Sequence, residues 1–125
     1  MNTAVCTGLA HVGIKTYDLE KAINFYTDIL GFNLVNRIKP GDVELVFLQL
    51  ADLVIELVEA KDGVTYPDGV VNHLALQVKD IFAAAAELTA LGVELLTPEP
   101  QPLGGGRYNF FFRGPSGEKL ELLQG

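Results

Sequence analysis

The sequence predicts an α+β fold of two tandem βαβββ repeats, whose strands form a curved, barrel-like mixed sheet with the helices outside. Strand-like and helix-like segments follow the same order twice along the 125 residues. The only two histidines, His11 and His73, lie 62 residues apart, and each stands seven residues before an aspartate that can cap a helix. Because neither half could bury its apolar face alone, we expect both halves to build one domain over residues 1–125.

The first repeat covers about residues 9–59. Leu9–Lys15 alternates between apolar residues and a face that includes His11, as a half-buried strand does. Asp18 is a favourable N-cap for a helical pattern that Gly31 ends. Three strand-like segments follow, at about Phe32–Lys39, Val43–Leu50 and Leu53–Glu59.

The second repeat covers about residues 71–124, after a linker at 60–70 that is rich in Gly, Asp and Pro. Asn72–Lys79 alternates like the first strand, Asp80 caps the next helical pattern, and Gly92 ends it. Three strands are expected at about Val93–Leu96, Tyr108–Arg113 and Lys119–Gln124.

The composition is that of an ordinary soluble globular protein, with 49% hydrophobic and 20% charged residues. A net charge of −7 argues against nucleic acid and anionic membranes as partners, since both require basic patches. The apolar runs are too short to span a membrane, and the N-terminus lacks the pattern of a signal peptide. Cys6 is the single cysteine, which excludes an internal disulfide and fits a reducing compartment. We therefore expect a cytoplasmic location.

Two glutamates complete a repeated set of possible metal ligands. Glu56 and Glu121 lie 65 residues apart in the similar segments Val54-Ile-Glu-Leu-Val-Glu and Lys119-Leu-Glu-Leu-Leu-Gln. A carboxylate in a half-buried strand needs a partner, because an unsatisfied buried carboxylate is expensive. Two converging carboxylates repel each other, and a divalent cation removes that conflict. With the two histidines, this pattern predicts a four-ligand metal site at His11, Glu56, His73 and Glu121.

Five segments carry a resemblance to a known family. They are His11-Val-Gly-Ile, Asp18-Leu-Glu-Lys-Ala-Ile-Asn-Phe-Tyr-Thr-Asp-Ile-Leu-Gly-Phe, Val54-Ile-Glu-Leu, His73-Leu-Ala-Leu-Gln-Val-Lys-Asp and Gly114-Pro-Ser-Gly-Glu-Lys-Leu-Glu-Leu. Over about residues 9–124 the chain resembles the vicinal oxygen chelate superfamily. That superfamily includes glyoxalase I, methylmalonyl-CoA epimerase, fosfomycin resistance proteins and extradiol dioxygenases.

The resemblance implies roles for the four ligands. A His, Glu, His, Glu set is the pattern of bacterial glyoxalase I, whereas dioxygenases and fosfomycin enzymes use two histidines and one glutamate. The implied cofactor is Ni²⁺, Co²⁺, Zn²⁺ or Mn²⁺, and the implied reaction moves a proton next to a carbonyl through an enediolate. Glu121 would act as the general base, and Glu56 would remain a ligand and assist proton return.

Three further residues are candidates for binding the substrate. Lys15 stands in the first strand where glyoxalase I enzymes that use glutathione often carry an arginine, and Asn72 stands beside His73. Arg107 follows Gly104-Gly-Gly, which we interpret as a mobile loop over the cleft rather than as a phosphate-binding loop.

Three functions stay open at this stage. The first is a glyoxalase I-like lyase acting on the hemithioacetal of a 2-oxoaldehyde and a thiol. The second is an epimerase of a 2-methyl acyl-CoA thioester, which uses the same enolate chemistry. The third is a metal-free module that sequesters a drug, as bleomycin resistance proteins do. The resemblance also implies a homodimer, with sites either within one chain or across the interface.

Overall fold

A computed structural model describes residues 9–61, 68–69 and 71–125. The chain divides into two compact units, Met1–Val64 and Thr65–Gly125, and each unit holds one of the repeats. Cys6 and most of the linker at 60–70 lie outside the described residues. Within the described ranges, every helix is too short or too polar to cross a membrane.

The first unit folds as the sequence predicts, with the order βαβββ. Its elements are β1 (Val12–Thr16), α1 (Leu19–Asn24), β2 (Asn33–Ile38), β3 (Leu45–Leu50) and β4 (Leu53–Glu59). The four strands form one mixed sheet in the order β1-β4-β3-β2. The β1–β4 pair is parallel, whereas β3 runs antiparallel to both of its neighbours.

The helix of the first unit spans the predicted segment but changes its geometry part of the way along. It begins as expected, because the Asp18 side chain accepts a hydrogen bond from the Lys21 backbone N–H at 3.1 Å. It ends at Asn24 and continues as a π-helical turn over Phe25–Ile29. This turn contains Tyr26, which is completely buried and stands edge-on against the rings of Phe25 and Phe32.

The second unit repeats this topology, which confirms the predicted fold class. Its elements are β5 (Leu74–Gln77), α2 (Ile81–Ala90), β6 (Gln101–Gly104), β7 (Arg107–Arg113) and β8 (Lys119–Gln124). The strand order is β5-β8-β7-β6, with β5 and β8 parallel and the other pairs antiparallel. Asp80 caps α2 by accepting a hydrogen bond from the Ala83 N–H at 3.1 Å, as Asp18 does for α1.

The predicted strand at Val93–Leu96 is wrong. That segment meets β7 only through an isolated bridge between Leu95 and Phe112, and the outer strand is β6 instead. Two prolines, Pro98 and Pro100, separate the segment from β6. Since proline has no N–H to donate to a ladder, pairing with β7 is interrupted there and resumes beyond.

The glycine run at 104–106, interpreted above as a loop, forms a tight turn between β6 and β7. Gly104 pairs with Arg107 across β6 and β7, so the turn between the strands is two residues long. Gly105 and Gly106 occupy that turn with φ values of 63° and 78°. Two successive positive φ angles match the right-handed twist of a hairpin, and glycine adopts them without steric cost.

The alternation of side chains separates a helix-facing core from a second face in each unit. Ile55 and Leu57 in β4 are completely buried, as is Leu120 in β8. Glu56 lies between Ile55 and Leu57, and Glu121 follows Leu120. Both glutamates therefore point to the opposite face of their sheet. In each unit the helix packs on the apolar face and leaves the glutamate on the other side.

Candidate functional site

The first unit brings His11 and Glu56 together. His11 lies directly before β1, and Glu56 lies in the neighbouring strand β4. The His11 Nε2 and Glu56 Oε1 atoms are 3.5 Å apart, with 40% of the histidine side chain and 18% of the glutamate side chain exposed. The strand partner of Glu56 in β1 is Gly13, which leaves the place beside the carboxylate without a side chain.

The second unit brings His73 and Glu121 together in the same way. His73 lies directly before β5, and Glu121 lies in the adjacent parallel strand β8. The His73 Nε2 and Glu121 Oε1 atoms are 3.1 Å apart, and the Glu121 side chain is only 12% exposed. Its strand partner is the small residue Ala75, at the place that Gly13 takes in the first unit.

Two asparagines support the second pair. The Asn72 Oδ1 atom lies 2.9 Å from His73 Nδ1, and Asn109 Nδ2 donates to Glu121 Oε2 at 3.1 Å. The Asn72 contact orients the imidazole through Nδ1 and leaves Nε2 facing the carboxylate oxygen, an arrangement in which a cation can lie between the two groups.

Sequence reasoning missed one aromatic residue beside each pair. The ring of Phe47 stands edge-on to His11 with centroids 5.9 Å apart, and that of Phe111 stands edge-on to His73 at 5.5 Å. Phe47 lies directly opposite Glu56 across β3 and β4, and Phe111 lies opposite Glu121 across β7 and β8. Such contacts contribute about 0.5–1.5 kcal/mol and restrict the tilt of the imidazole. The two phenylalanines lie 64 residues apart, close to the offsets of 62 and 65 for the histidines and the glutamates, and this repetition could have identified them.

The donor chemistry of each pair fits a divalent first-row metal ion. Two ligands at about 2.1 Å from a metal, at right angles to each other, are about 3 Å apart. The observed distance between the histidine Nε2 and the glutamate Oε1 is 3.5 Å in the first pair and 3.1 Å in the second. Imidazole nitrogen and carboxylate oxygen suit Zn²⁺, Co²⁺, Ni²⁺ and Mn²⁺. Among the described residues, no group of three or more His, Cys, Asp and Glu side chains could hold a metal ion.

The predicted substrate-binding residues lie at different places in the two units. Lys15 is exposed on β1, two residues beyond Gly13 and on the same strand face. Asn72 is engaged with His73 as described above. Arg107 begins β7, and its Cγ atom lies 2.7 Å from the position that a Cβ at Gly125 would take. The stem of Arg107 therefore packs against the C-terminal residue.

Two cations that sequence reasoning did not single out share the face of the second pair. The Lys119 Nζ atom lies 5.1 Å from the ring centroid of Phe111, within the range of a cation–π contact. Arg113, the strand partner of Lys119, donates to both carboxylate oxygens of Asp68 at 2.5 Å and 3.1 Å. These hydrogen bonds hold the pKa of the Asp68 carboxyl below its usual value.

Comparisons with known proteins agree with this architecture. Residues 8–122 match the family described as Glyoxalase/Bleomycin resistance protein/Dioxygenase superfamily. The chain is 32% identical over 124 residues to a "Probable lactoylglutathione lyase" of Vibrio cholerae, covering 93% of this chain and 89% of that protein. It is 33% identical over 125 residues to a protein of the same name from Synechocystis, covering 93% and 94%.

A solved structure shows the same fold. The fosfomycin resistance protein of Listeria monocytogenes superimposes with a TM-score of 0.79 at 22% sequence identity, covering 97% of this chain and 95% of that chain. At this identity the similarity concerns the fold and not the reaction.

Proposed function

The chain belongs to the Glyoxalase/Bleomycin resistance protein/Dioxygenase superfamily, and on that basis we propose that it is a metal-dependent glyoxalase I-like lyase. The observation that carries the proposal is the repeated pair, with a histidine nitrogen facing a glutamate oxygen in each unit. Relatives that bear the name "Probable lactoylglutathione lyase" and are about one-third identical support the same reaction class.

The two pairs together supply the ligands of one divalent cation in this proposal. His11, Glu56, His73 and Glu121 provide two nitrogen and two oxygen donors, a set that suits Ni²⁺, Co²⁺, Zn²⁺ or Mn²⁺. When bound, the cation supplies a Lewis acid that stabilises negative charge on the substrate oxygens.

Glu121 is the general base in this proposal. It removes the proton from the thiol-bearing carbon of the hemithioacetal, next to the carbonyl, and returns it to the former carbonyl carbon. The product of this shift is a 2-hydroxyacyl thioester, and the enediolate lies between the two steps. Burial of the Glu121 side chain and its two polar neighbours support this role, because they hold the carboxylate in one orientation. Glu56 serves as the second carboxylate and assists proton return.

Contacts to the rest of the substrate are proposed for three residues. Lys15 and Arg107 would meet an anionic group of the thiol, and Asn72 would contact the substrate beside His73. Since the net charge of the chain is −7, attraction of an anionic thiol depends on such local cations. We also propose a cytoplasmic homodimer, and light scattering after size-exclusion chromatography tests the dimer.

Metal analysis combined with an activity screen tests the proposed function. The protein is purified without chelators, its metal content is measured, and methylglyoxal is supplied with glutathione and other small thiols. We expect bound divalent metal, thioester formation, loss of activity on chelation, and recovery with Ni²⁺, Co²⁺, Zn²⁺ or Mn²⁺. Negligible metal together with no response to any of the four ions would contradict the proposal.

Parallel assays separate the two alternatives. Deuterium exchange into a 2-methyl acyl-CoA thioester, without any hemithioacetal turnover, would favour the epimerase over the lyase. The proposed metal site would stand in that case. Tight binding of bleomycin by the chelator-treated protein would favour the metal-free module instead.

A further inference from the structure

Glu121 is held by a residue that lies outside the four ligands. Its Oε2 atom accepts a hydrogen bond from Asn109 Nδ2 at 3.1 Å, while its Oε1 atom faces His73 Nε2 at 3.1 Å. We propose that Asn109 is a positioning residue for Glu121, an inference that rests on the proposed function. Its amide holds one carboxylate oxygen and so fixes the orientation in which the other oxygen faces the histidine.

The strand register makes this contact a fixed feature of the second sheet. Asn109 lies in β7 directly opposite Leu123, two residues beyond Glu121 in β8. Diagonal neighbours on one face of an antiparallel pair lie within reach of each other's side chains. Asn109 and Glu121 are both partly buried, so removing the amide would leave a shielded carboxylate oxygen without that partner.

The first unit shows that the fold does not require an asparagine at this place. Leu45 in β3 lies directly opposite Val58, two residues beyond Glu56, which is the register position of Asn109 in the second unit. In the described part of the chain, the contact with His11 is the only polar side-chain contact of Glu56. The same topology therefore forms with leucine, and the amide of Asn109 serves Glu121 rather than the sheet.

This support has a chemical consequence for a base that must also be a ligand. A carboxylate held at one oxygen retains its orientation when the other oxygen changes partner. Outer partners of metal ligands typically contribute about 10–100-fold to metal affinity or activity. Loss of the Asn109 amide should therefore weaken metal binding and lower kcat, with little effect on KM.

Asn109→Leu is the direct test, because it installs the residue that the first unit already carries. Asn24→Leu, on the exposed side of α1, is the matched control. Co²⁺ affinity is measured by competition with a chelator, the Co²⁺ absorption spectrum reports the ligand set, and kcat and KM are determined separately. We expect Asn109→Leu to lose about 10–100-fold in Co²⁺ affinity or kcat, with KM within about twofold of wild type. Asn24→Leu should match the wild type.

A measurement on the metal-free protein keeps the inference independent of turnover. The side-chain amide protons of Asn109, assigned by their loss in Asn109→Leu, should shift in Glu121→Gln when followed by NMR. An unchanged amide resonance would overturn the inference, as would an active wild type whose affinity and kcat persist in Asn109→Leu. A wild type that binds no metal and turns over no hemithioacetal would refute the proposed function, whereas the amide resonance decides separately whether Asn109 holds Glu121.

Discussion

The two units share a scaffold and differ in how firmly each holds its histidine–glutamate pair. Both have the same strand order, the same register at the glutamate, and an edge-on phenylalanine beside the histidine. The nitrogen–oxygen separation is 3.5 Å in the first unit and 3.1 Å in the second. The shared topology thus sets where the pairs lie, and the neighbouring side chains differ in the polar contacts that they offer each pair.

Two substitutions between the repeats account for most of this difference. Where the second unit has Asn72 before its histidine, the first has Ala10, which has no polar side chain to offer. Where the second has Asn109, the first has Leu45. The first pair therefore lacks both amides that restrict the second.

The charged neighbours differ as well. Lys119 and Arg113 are strand partners in the second unit, and the equivalent partners in the first are Val54 and Gln49. The second unit thus adds two cations to the face of its pair at places where the first unit has uncharged side chains. The first unit instead carries Lys15 on its opening strand.

The largest expected contrast between the units concerns their glutamates. Glu121→Gln should lower kcat by about 10²–10⁴-fold, the usual contribution of a positioned general base, while circular dichroism shows an intact fold. Glu56→Gln should lower kcat by a smaller factor, since this substitution removes only a metal ligand and a group that assists proton return. Full activity in Glu121→Gln would remove Glu121 as the base.

The apolar cores should respond alike, because the helix-facing sides of the two sheets are equivalent. Leu57 is completely buried, and its counterpart Leu122 is 3% exposed. Leu57→Ala and Leu122→Ala should each lower the free energy of unfolding by about 2–5 kcal/mol, as measured in urea. A large loss for one variant with almost none for the other would show that the two cores are not equivalent.

A smaller contrast concerns the histidines. Asn72→Ala should weaken Zn²⁺ binding by about tenfold, because His73 loses the acceptor that fixes its tautomer. The reciprocal variant Ala10→Asn should strengthen binding, since it offers His11 the same acceptor. A rise in KM with unchanged Zn²⁺ affinity in Asn72→Ala would instead assign Asn72 to the substrate alone.

The smallest expected effect is on the stability of the fold at acidic pH, and it is tested at one ion pair in each unit. Hydrogen bonds from Arg113 lower the pKa of Asp68, and those from Arg37 lower the pKa of Glu44. A lowered pKa stabilises the fold above the unfolded-state value of about 4 and loses that effect as the pH falls through the folded-state value. Asp68→Asn and Glu44→Gln should therefore reduce the urea midpoint slightly at neutral pH.

The same variants should converge with the wild type once the pH falls below the lowered folded-state pKa of each carboxyl, where that carboxyl is protonated in all forms. The effect is small because both pairs are exposed to solvent, which screens the attraction. A difference from the wild type that persists at low pH would show that packing, not charge, is responsible.

The sequence by itself determined the features that depend on local pattern. Asp18 and Asp80 predicted the starts of the two helices, because an aspartate cap acts within three residues of its own position. Glu56 and Glu121 were placed on the face opposite the core by the period of two that every strand obeys. Repetition of these patterns was enough for the βαβββ order of the elements in each unit.

Only the tertiary structure decided the features that depend on which strand lies beside which, and in what register. The outer strand lies at Gln101–Gly104 rather than at Val93–Leu96 because the hairpin turn and the two prolines act together along β7. Asn109 reaches Glu121, and Asp68 reaches Arg113, across 12 and 45 residues of chain. Such contacts are absent from any local pattern, since they form only when distant segments are brought side by side by the packed core.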